Sequence, residues 1–266
     1  MCDTCGCGKP DGYKIHDPDH THSSDSDYTH EHDHGHTHDH LHEHDHHHKK
    51  VIDLDIDILS RNNMIAGMNR RFLEGRKVSS FNMVSSPGSG KTTLLERTIT
   101  NLIPDSKIYV IEGDQQTHID ADRIQKAGAP ALQINTGSGC HLDAGMIDAA
   151  LRKMDIEFGA ILFIENVGNL VCPAIFDLGE YKRVLVVSVT EGDDKPLKYP
   201  KMFETSDLCI INKSDLLPYV DFRSDVFMSN ARITNHHLEF IELSAKTGEG
   251  MNLFFEWILS HLLRSA

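Results

Sequence analysis

The sequence predicts an α/β fold in which a mostly parallel sheet has helices on both faces. Short apolar strands alternate with helical segments from residue 51 onward. This alternation is typical of a parallel sheet that is buried on both sides. The first strongly apolar strand runs into a glycine-rich loop and then a helix, over residues 81–102. That order indicates a phosphate-binding loop, so the predicted fold class is that of a P-loop NTPase.

The individual elements follow from the spacing of apolar residues. A lead-in helix is predicted near 56–74, where Met64 and Met68 lie one helical turn apart and Gly75 ends the pattern. Apolar runs predict strands, and longer segments with a helical period predict helices. The predicted strands are 81–84, 107–112, 131–134, 160–165, 183–189, 208–211 and 239–243, and the other predicted helices are 91–102, 120–127, 141–154 and 251–263.

Residues 1–50 differ from the rest of the chain in composition. The chain has 26 Lys and Arg, 40 Asp and Glu, and 19 His, a net charge of -14 with neutral histidine. The first 50 residues hold 14 of these histidines and half of the net charge, with almost no apolar side chains. Such a segment buries too little surface to offset the entropy lost on folding. We therefore predict a metal-binding tail over 1–50, disordered without metal, and one domain over 51–266.

The composition also excludes several classes of protein. No basic patch dominates, so binding to nucleic acid is not expected. No apolar run approaches the roughly 18 residues of a membrane helix, and the N-terminus lacks an apolar signal region. We therefore expect a cytoplasmic protein without a membrane partner.

The glycine-rich loop matches the P-loop pattern G-x-x-x-x-G-K-[ST], except that Ser85 stands at its first position. Its glycines let the backbone wrap around a phosphate, and the start of the following helix supplies N–H donors. Lys91 is predicted to reach the β- and γ-phosphates of a nucleotide, and Thr92 to bind Mg²⁺. The predicted phosphate-binding residues are Gly88, Ser89, Gly90, Lys91, Thr92 and Thr93.

A second motif, Asn212-Lys213-Ser214-Asp215, follows the strand 208–211 and indicates a guanine base. The Asp215 carboxylate would accept hydrogen bonds from N1–H and the 2-amino group, a donor pair that adenine lacks. Lys213 would pack its stem on the ring, and Asn212 would fix the loop. Ser244-Ala245-Lys246, after the next strand, would support the edge of the base. The predicted nucleotide is thus GTP or GDP.

Two acids at strand ends, Asp114 and Glu165, face the predicted phosphate site. Either would hold Mg²⁺, directly or through water, although acids at such positions also cap helices. Glu165 opens Glu165-Asn166-Val167-Gly168, where GTPases carry D-x-x-G, and Gly168 would offer its amide to the γ-phosphate. The candidate catalytic residues are Lys91, Thr92, Asp114 and Glu165.

Two metal sites are predicted in the tail. Cys2, Cys5 and Cys7 place three thiolates close together, which in a reducing compartment indicates metal binding before disulfides. A square-planar set completed by the terminal amine would suit Ni²⁺, and a tetrahedral set would suit Zn²⁺. A histidine-rich tract would bind several ions weakly and with little selectivity. Its histidines are His30, His32, His34, His36, His38, His40, His42, His44, His46, His47 and His48.

A third metal site is predicted inside the domain. Cys140 and His141 are adjacent in a glycine-containing loop before a helix, and Cys172 follows Gly168 by four residues. A metal held by these three side chains would respond to the nucleotide state, although a Cys-His pair also occurs by accident. Cys209 lies within an apolar strand, where a thiol is normally buried and inert.

Taken in order, these motifs and Glu112-Gly113-Asp114 resemble the HypB family, GTPase accessory proteins that help to insert nickel into [NiFe]-hydrogenase. The resemblance implies a GTPase of the signal-recognition/MinD-like class that dimerises near its nucleotide. It implies a tight nickel site at Cys2, Cys5 and Cys7, nickel storage in the histidine tract, and an interface metal site at Cys140, His141 and Cys172. The implied partners are a second copy of the chain, other hydrogenase maturation accessory proteins and the hydrogenase large-subunit precursor.

The function predicted from the sequence is therefore that of a Mg²⁺-dependent, GTP-hydrolysing nickel metallochaperone. We expect slow intrinsic hydrolysis, because no glutamine or arginine can be assigned to the attacking water or the transition state. The alternatives are a urease-type nickel GTPase, a zinc-handling GTPase, and a nickel storage protein without catalytic function.

Overall fold

The structure is a computed structural model that describes residues 14–16, 47–114, 119–137 and 139–263. Its centre is an eight-stranded sheet with the order β1-β4-β3-β5-β2-β6-β7-β8. Strands β2 to β8 are parallel, and β1 pairs antiparallel with β4 at one edge. The strands are β1 (Lys14–His16), β2 (Ser79–Ser85), β3 (Ile108–Asp114), β4 (Ala131–Asn135), β5 (Ile161–Glu165), β6 (Lys182–Ser188), β7 (Leu208–Asn212) and β8 (Glu239–Glu242).

Eight α-helices and three short 3₁₀ helices complete the part of the chain that the structure describes. The α-helices are α1 (His47–Gly75), α2 (Lys91–Leu102), α3 (Ile119–Lys126), α4 (Ala144–Lys153), α5 (Lys195–Lys198), α6 (Pro200–Glu204), α7 (Ser224–Thr234) and α8 (Met251–Ser260). The 3₁₀ helices are Cys172–Ala174, Val189–Glu191 and Ser214–Tyr219. No helix among these residues combines the length and the hydropathy needed to cross a bilayer.

Successive residues of each strand point to opposite faces of the sheet, so the core has two sides. On β5, Phe163 points to the side that α2 and α8 cover, where it packs with Leu94 and Phe254. Leu162 and Ile164 point to the other side, which α1 and α4 cover next to β4, and α6 and α7 next to β7. The predicted mostly parallel sheet with helices on both faces is confirmed.

Several bounds differ from the prediction. Helix α1 begins at His47 rather than near residue 56. Helix α4 begins at Ala144 rather than at 141, because the Asp143 side chain accepts a hydrogen bond from the Met146 N–H at 2.8 Å and caps the helix. Strand β1 was not predicted, since its pairing uses backbone groups that leave no pattern in three residues. The predicted disorder of the tail concerns residues outside the described ranges, except for β1 and the start of α1.

Candidate nucleotide and metal site

The P-loop connects β2, in the middle of the sheet, to the start of α2. Gly90 has a φ of 92°, and a Cβ at this residue would lie 2.6 Å from Nδ2 of Asn212. Glycine is therefore required both by the backbone and by the close approach of Asn212. The loop borders a cavity of about 610 Å³ that also reaches the carboxyl ends of β3 and β5. This is the edge where open α/β sheets bind ligands.

Lys91 and Thr92 both contact the end of β5. Thr92 Oγ1 donates a hydrogen bond to Glu165 Oε1 at 2.6 Å, and Lys91 Nζ lies 3.3 Å from the same oxygen. Lys91 Nζ also donates to the main-chain oxygen of Asn166 at 2.5 Å. The side chains of Lys91 and Glu165 are only 11% and 3% exposed, so their attraction is little screened by water. The structure thus brings Lys91, Thr92 and Glu165 together, as predicted.

Acidic side chains gather opposite the P-loop. Glu112 and Glu165 are paired positions on β3 and β5, and Glu112 is 2% exposed. Burial, followed by the charges of Glu165, Asp114 and Asp120, raises the pKa of Glu112 to about 9. Asp114 and Asp120 line the same cavity. Glu112 and Asp120 were not predicted as site residues, although Glu112 lies two positions before Asp114 and so faces the same side of the strand.

This acidic group fits a hard divalent cation. Within the described ranges, Oε2 of Glu112 and Oε2 of Glu165 are buried and have no hydrogen-bond partner. Buried carboxylate oxygens without partners are costly, and a cation such as Mg²⁺ is coordinated by oxygen ligands of this kind. The Thr92 hydroxyl contacts Glu165, so the predicted Mg²⁺ ligands Thr92 and Asp114 lie in the same cavity as the two glutamates.

Gly168 lies against the P-loop. A Cβ at Gly168 would come within 3.2 Å of the Pro87 Cα and N atoms, so this glycine permits the close approach of the two loops. Gly168 and Val167 line the large cavity. The segment after β5 is therefore placed where it would sense the end of a phosphate chain.

The predicted base-binding residues surround a second cavity of about 260 Å³. It shares Gly90, Thr93 and Lys213 with the large cavity, so the two cavities are adjacent. Asp215 lines it, and Ser244 Oγ donates to Asp215 Oδ1 at 2.6 Å. The remaining lining residues are Asn212, Leu216, Ala245 and Lys246.

Asn212 joins three loops. Its Nδ2 donates to the Ser89 carbonyl at 2.8 Å, and its Oδ1 accepts from the amides of Lys213 at 2.8 Å and Ala245 at 3.0 Å. Lys213 adopts a φ of 62° and donates from Nζ to the Gly88 carbonyl at 2.7 Å. These contacts hold the base-binding motif and the P-loop in one arrangement.

Arg123 of α3 was not singled out from the sequence, yet it lines the phosphate cavity. Its guanidinium donates to both carboxylate oxygens of Glu96, to Asp120 Oδ1 at 3.1 Å and to Thr93 Oγ1 at 3.2 Å. It therefore adds a cation beside Thr93, where the two cavities meet. Only the folded chain brings α2 and α3 together here, so the sequence carries no local signal for it.

Cys140, His141 and Cys172 form one cluster, the metal-site cluster. One donor atom from each side chain lies within 4.8 Å of the others. The two Sγ atoms are 2.9 Å apart, and Cys140 Sγ is 3.7 Å from His141 Nδ1. Burial lowers the pKa of His141 below its ordinary value of 6.5, which favours the neutral imidazole that binds metals. The ring of Phe176 packs on His141 with 4.0 Å between centroids.

Two thiolates and an imidazole suit Ni²⁺ or Zn²⁺. The structure brings together the three predicted ligands of the domain. Cys2, Cys5, Cys7 and the histidines from His30 to His46 lie outside the described residues, and His47 and His48 begin α1.

Asn166 connects the phosphate site to the metal-site cluster. Its main-chain oxygen accepts from Lys91 Nζ, and its side-chain Oδ1 accepts from the amide of Leu142 at 3.1 Å. Leu142 directly follows His141, and it packs so closely on Gly113 of β3 that a Cβ there would lie 2.7 Å from Leu142 Cγ. Asn166 is fully buried. A movement of the Lys91 contact would therefore be felt at the residue next to a metal ligand.

The fold and this site define a P-loop nucleotide-binding protein whose domain also brings together two thiols and an imidazole that could hold a metal ion. Residues 80–242 match the family model described as CobW/HypB/UreG, nucleotide-binding domain. The hydrogenase maturation factor HypB of Rhizobium leguminosarum bv. viciae is 56% identical over 208 residues, which are 78% of this chain and 70% of that protein. The chain belongs to the CobW/HypB/UreG family, among the HypB hydrogenase maturation factors, as the resemblance of its motifs predicted.

Two solved structures of HypB proteins are similar to this chain. The crystal structure of HypB from Archaeoglobus fulgidus is 40% identical with a TM-score of 0.71, and the match covers 77% of this chain and 100% of that one. The crystal structure of HypB from Helicobacter pylori in complex with nickel is 38% identical with a TM-score of 0.72, and the match covers 75% of this chain and 94% of that one.

Proposed function

We propose that this chain is a GTP-hydrolysing nickel metallochaperone that serves the maturation of [NiFe]-hydrogenase. Membership of the HypB family supports the role in hydrogenase maturation, and the nickel complex of the Helicobacter pylori relative supports nickel as the cargo. The observation that carries the proposal is Asn166, which bonds the P-loop lysine through its main chain and the metal-ligand loop through its side chain.

Selectivity for guanine rests on Asp215. Its carboxylate borders the smaller cavity and is oriented by the Ser244 hydroxyl. Guanine presents N1–H and a 2-amino group, and both donate to a carboxylate in this position. Adenine presents an acceptor at N1, which a carboxylate repels. GTP is therefore the expected nucleotide rather than ATP.

Hydrolysis uses the phosphate cavity. Lys91 would exchange its contacts with Glu165 and Asn166 for the β- and γ-phosphates, and Thr92, Glu112, Asp114 and Glu165 are the residues that would hold Mg²⁺. When bound, Mg²⁺ neutralises charge on the β- and γ-phosphates. The adjacent cavities and the contacts of Asn212 with the P-loop would orient the nucleotide along the P-loop. Turnover is expected to be slow, because no residue among those described is assigned to the attacking water.

The nucleotide would control the metal through Asn166. With GTP bound, Lys91 turns to the phosphates and frees the Asn166 carbonyl, so the Asn166–Leu142 contact adjusts beside His141. Hydrolysis reverses this change and favours release of the ion to a partner. Val171 and Ile175 flank Cys172 and are 54% and 47% exposed, which suits an apolar surface where a second copy would pack around the cluster. Transfer would then pass to hydrogenase maturation proteins and the large-subunit precursor.

Three measurements test the proposal. Turnover of GTP and ATP with Mg²⁺ should differ strongly, and Lys91→Ala should abolish it; equal use of both nucleotides would contradict the guanine assignment. Release of Ni²⁺ from the metal-site cluster to a chelator should differ in rate between GTP and GDP, and Lys91→Ala should remove the difference. Competition between Ni²⁺ and Zn²⁺ for the cluster separates the nickel role from a zinc-handling one, because preferential retention of Zn²⁺ would favour the latter.

A further inference from the structure

Helix α1 is bonded to both chain segments that carry the metal-site cluster. The first segment contains Cys140 and His141 and continues into α4. The second contains Cys172 and continues to residues 177–178. Two asparagines of α1 make the bonds, and they lie seven residues apart, about two helical turns, on one face of the helix.

Asn62 uses both ends of its amide. Its Oδ1 accepts from the N–H of Ala144, the first residue of α4, at 2.9 Å, and its Nδ2 donates to the Asp177 carbonyl at 2.8 Å. Ala144 is three residues after His141, and Asp177 is five residues after Cys172. Asn62 is 5% exposed, so water does not readily replace either partner.

Asn69 connects α1 to the same two segments, about two turns further along the helix. Its Nδ2 donates to the Ala144 carbonyl at 2.9 Å and to the Leu178 carbonyl at 3.0 Å. The residue is fully buried. Between these bonds lies Gly179, where a Cβ would come within 2.4 Å of the Ala66 carbonyl, so α1 is in close contact with this segment.

The bonded positions lie directly behind the ligands. Phe176, which packs on the His141 ring, immediately precedes Asp177, whose carbonyl Asn62 holds. The separation of Cys172 from the Cys140–His141 pair is therefore set by where α1 holds Ala144, Asp177 and Leu178. Groups that orient metal ligands without touching the metal commonly tune its affinity.

We propose that α1 is a positioning element for the metal-site cluster, and that Asn62 and Asn69 set the spacing between Cys172 and the Cys140–His141 pair. The inference rests on the proposed function, in which the cluster binds metal. Neither asparagine belongs to the cluster of possible ligands, so both are positioning residues. Their substitution changes affinity and coordination geometry while the ligands themselves remain.

The test uses the full chain with Cys2, Cys5 and Cys7 replaced by serine, and Co²⁺ as the probe. Thiolate-to-Co²⁺ charge-transfer absorption then reports on Cys140 and Cys172, because Cys209 is fully buried. Asn62→Ala and Asn69→Ala are each expected to lower Co²⁺ affinity by roughly 10- to 100-fold and to shift the ligand-field bands. Arg71→Ala is the matched control, since Arg71 lies on the same helix but, within the described ranges, bonds only the Gly67 carbonyl of α1.

Asn62→Asp separates positioning from general loss of stability. The aspartate keeps an acceptor for the Ala144 N–H but places an oxygen against the Asp177 carbonyl, so the bands should shift even where the melting temperature is close to that of Arg71→Ala. If either alanine variant folds poorly, Asn62→Asp carries the test. Unchanged Co²⁺ affinity and bands in the folded variants would overturn the inference. Absorption that is missing in the parent, or that survives replacement of both Cys140 and Cys172 by serine, would instead overturn the metal site itself and the inference with it.

Discussion

Glu112 and Glu165 face each other as paired residues on the parallel strands β3 and β5, and each has a buried carboxylate oxygen without a hydrogen-bond partner among the described residues. Two carboxylates this close do not both ionise readily. Burial and the charge of Glu165 therefore favour a proton on Glu112, which a divalent cation would displace, and this proton makes the stability of the metal-free protein depend on pH.

The first prediction concerns that pH dependence. The pKa of Glu112 rises from 4.5 to about 9, so the folded state binds this proton more tightly than the unfolded chain. The free energy of unfolding should then fall as pH increases from 4.5 towards 9. Glu112→Gln should remove this part of the slope and stabilise the metal-free protein by roughly 2–3 kcal/mol at neutral pH.

Urea unfolding at several pH values, without Mg²⁺ or nucleotide, checks this expectation. Glu157→Gln is a suitable control, because Glu157 has a 55% exposed side chain and lies outside the acidic group. An identical pH slope in the wild type and Glu112→Gln would contradict the prediction. Because Glu112 is one of the residues proposed to hold Mg²⁺, Glu112→Gln should also raise the Mg²⁺ concentration that nucleotide turnover requires.

The second prediction concerns the base. Asp215→Asn would present an amide N–H to the 2-amino group of guanine, and two donors would then face each other. GTP affinity should fall roughly 100-fold, since charged hydrogen bonds contribute about 1.5–3 kcal/mol each. Xanthine carries an oxygen at the same position, so the variant should bind XTP better than GTP. Ser244→Ala should lower the affinity for GTP less than Asp215→Asn does, because it removes only the group that orients the carboxylate. Displacement of a fluorescent nucleotide measures the affinities of the wild type and the variants for GTP and XTP. An Asp215→Asn variant that still prefers GTP to XTP would exclude the assigned role of Asp215.

The third prediction separates hydrolysis from metal control. Asn166→Ala keeps the main-chain oxygen that accepts from Lys91 but removes the side-chain oxygen that holds the Leu142 amide. Because that amide is buried, the loop that carries His141 should loosen. GTP turnover should stay within a few-fold of the wild type, while the difference in Ni²⁺ release between GTP and GDP disappears. Persistence of that difference would show that another path joins the sites.

The fourth prediction concerns His141. Burial lowers its pKa from 6.5, and the ring of Phe176 contributes to that burial. Because the folded state then binds this proton less readily than the unfolded chain, acidification below pH 6.5 should destabilise the protein through His141. Phe176→Ala should let water reach the ring and move its pKa back towards 6.5. NMR titration of the ring carbon signals without metal measures both values. A lower pKa in Phe176→Ala than in the wild type would contradict this explanation.

The sequence predicts the fold and the nucleotide motifs because these depend on local pattern. Apolar runs mark the central strands, and the P-loop needs its glycines wherever it occurs. Helices α5, α6 and α7 were not predicted. Helices α5 and α6 were missed because they have only four and five residues and begin near Pro196 and Pro200. The roles of Asn62 and Asn69 could not be predicted, because a polar residue on an amphipathic helix normally indicates the exposed face. The high pKa of Glu112 likewise depends on burial in the folded sheet and then on the charge of Glu165, which lies on another strand.

Helix α1 begins at His47, inside the histidine-rich tract, and reaches the cluster through Asn62, 15 residues later. At about 1.5 Å per helical residue, the tract ends roughly 20 Å along the helix from this contact. Since the tract and the cluster belong to one chain, an ion that passes from a histidine to the cluster without leaving the molecule is not diluted into the solvent. Handover from tract to cluster would then be an intramolecular step whose rate does not change on dilution.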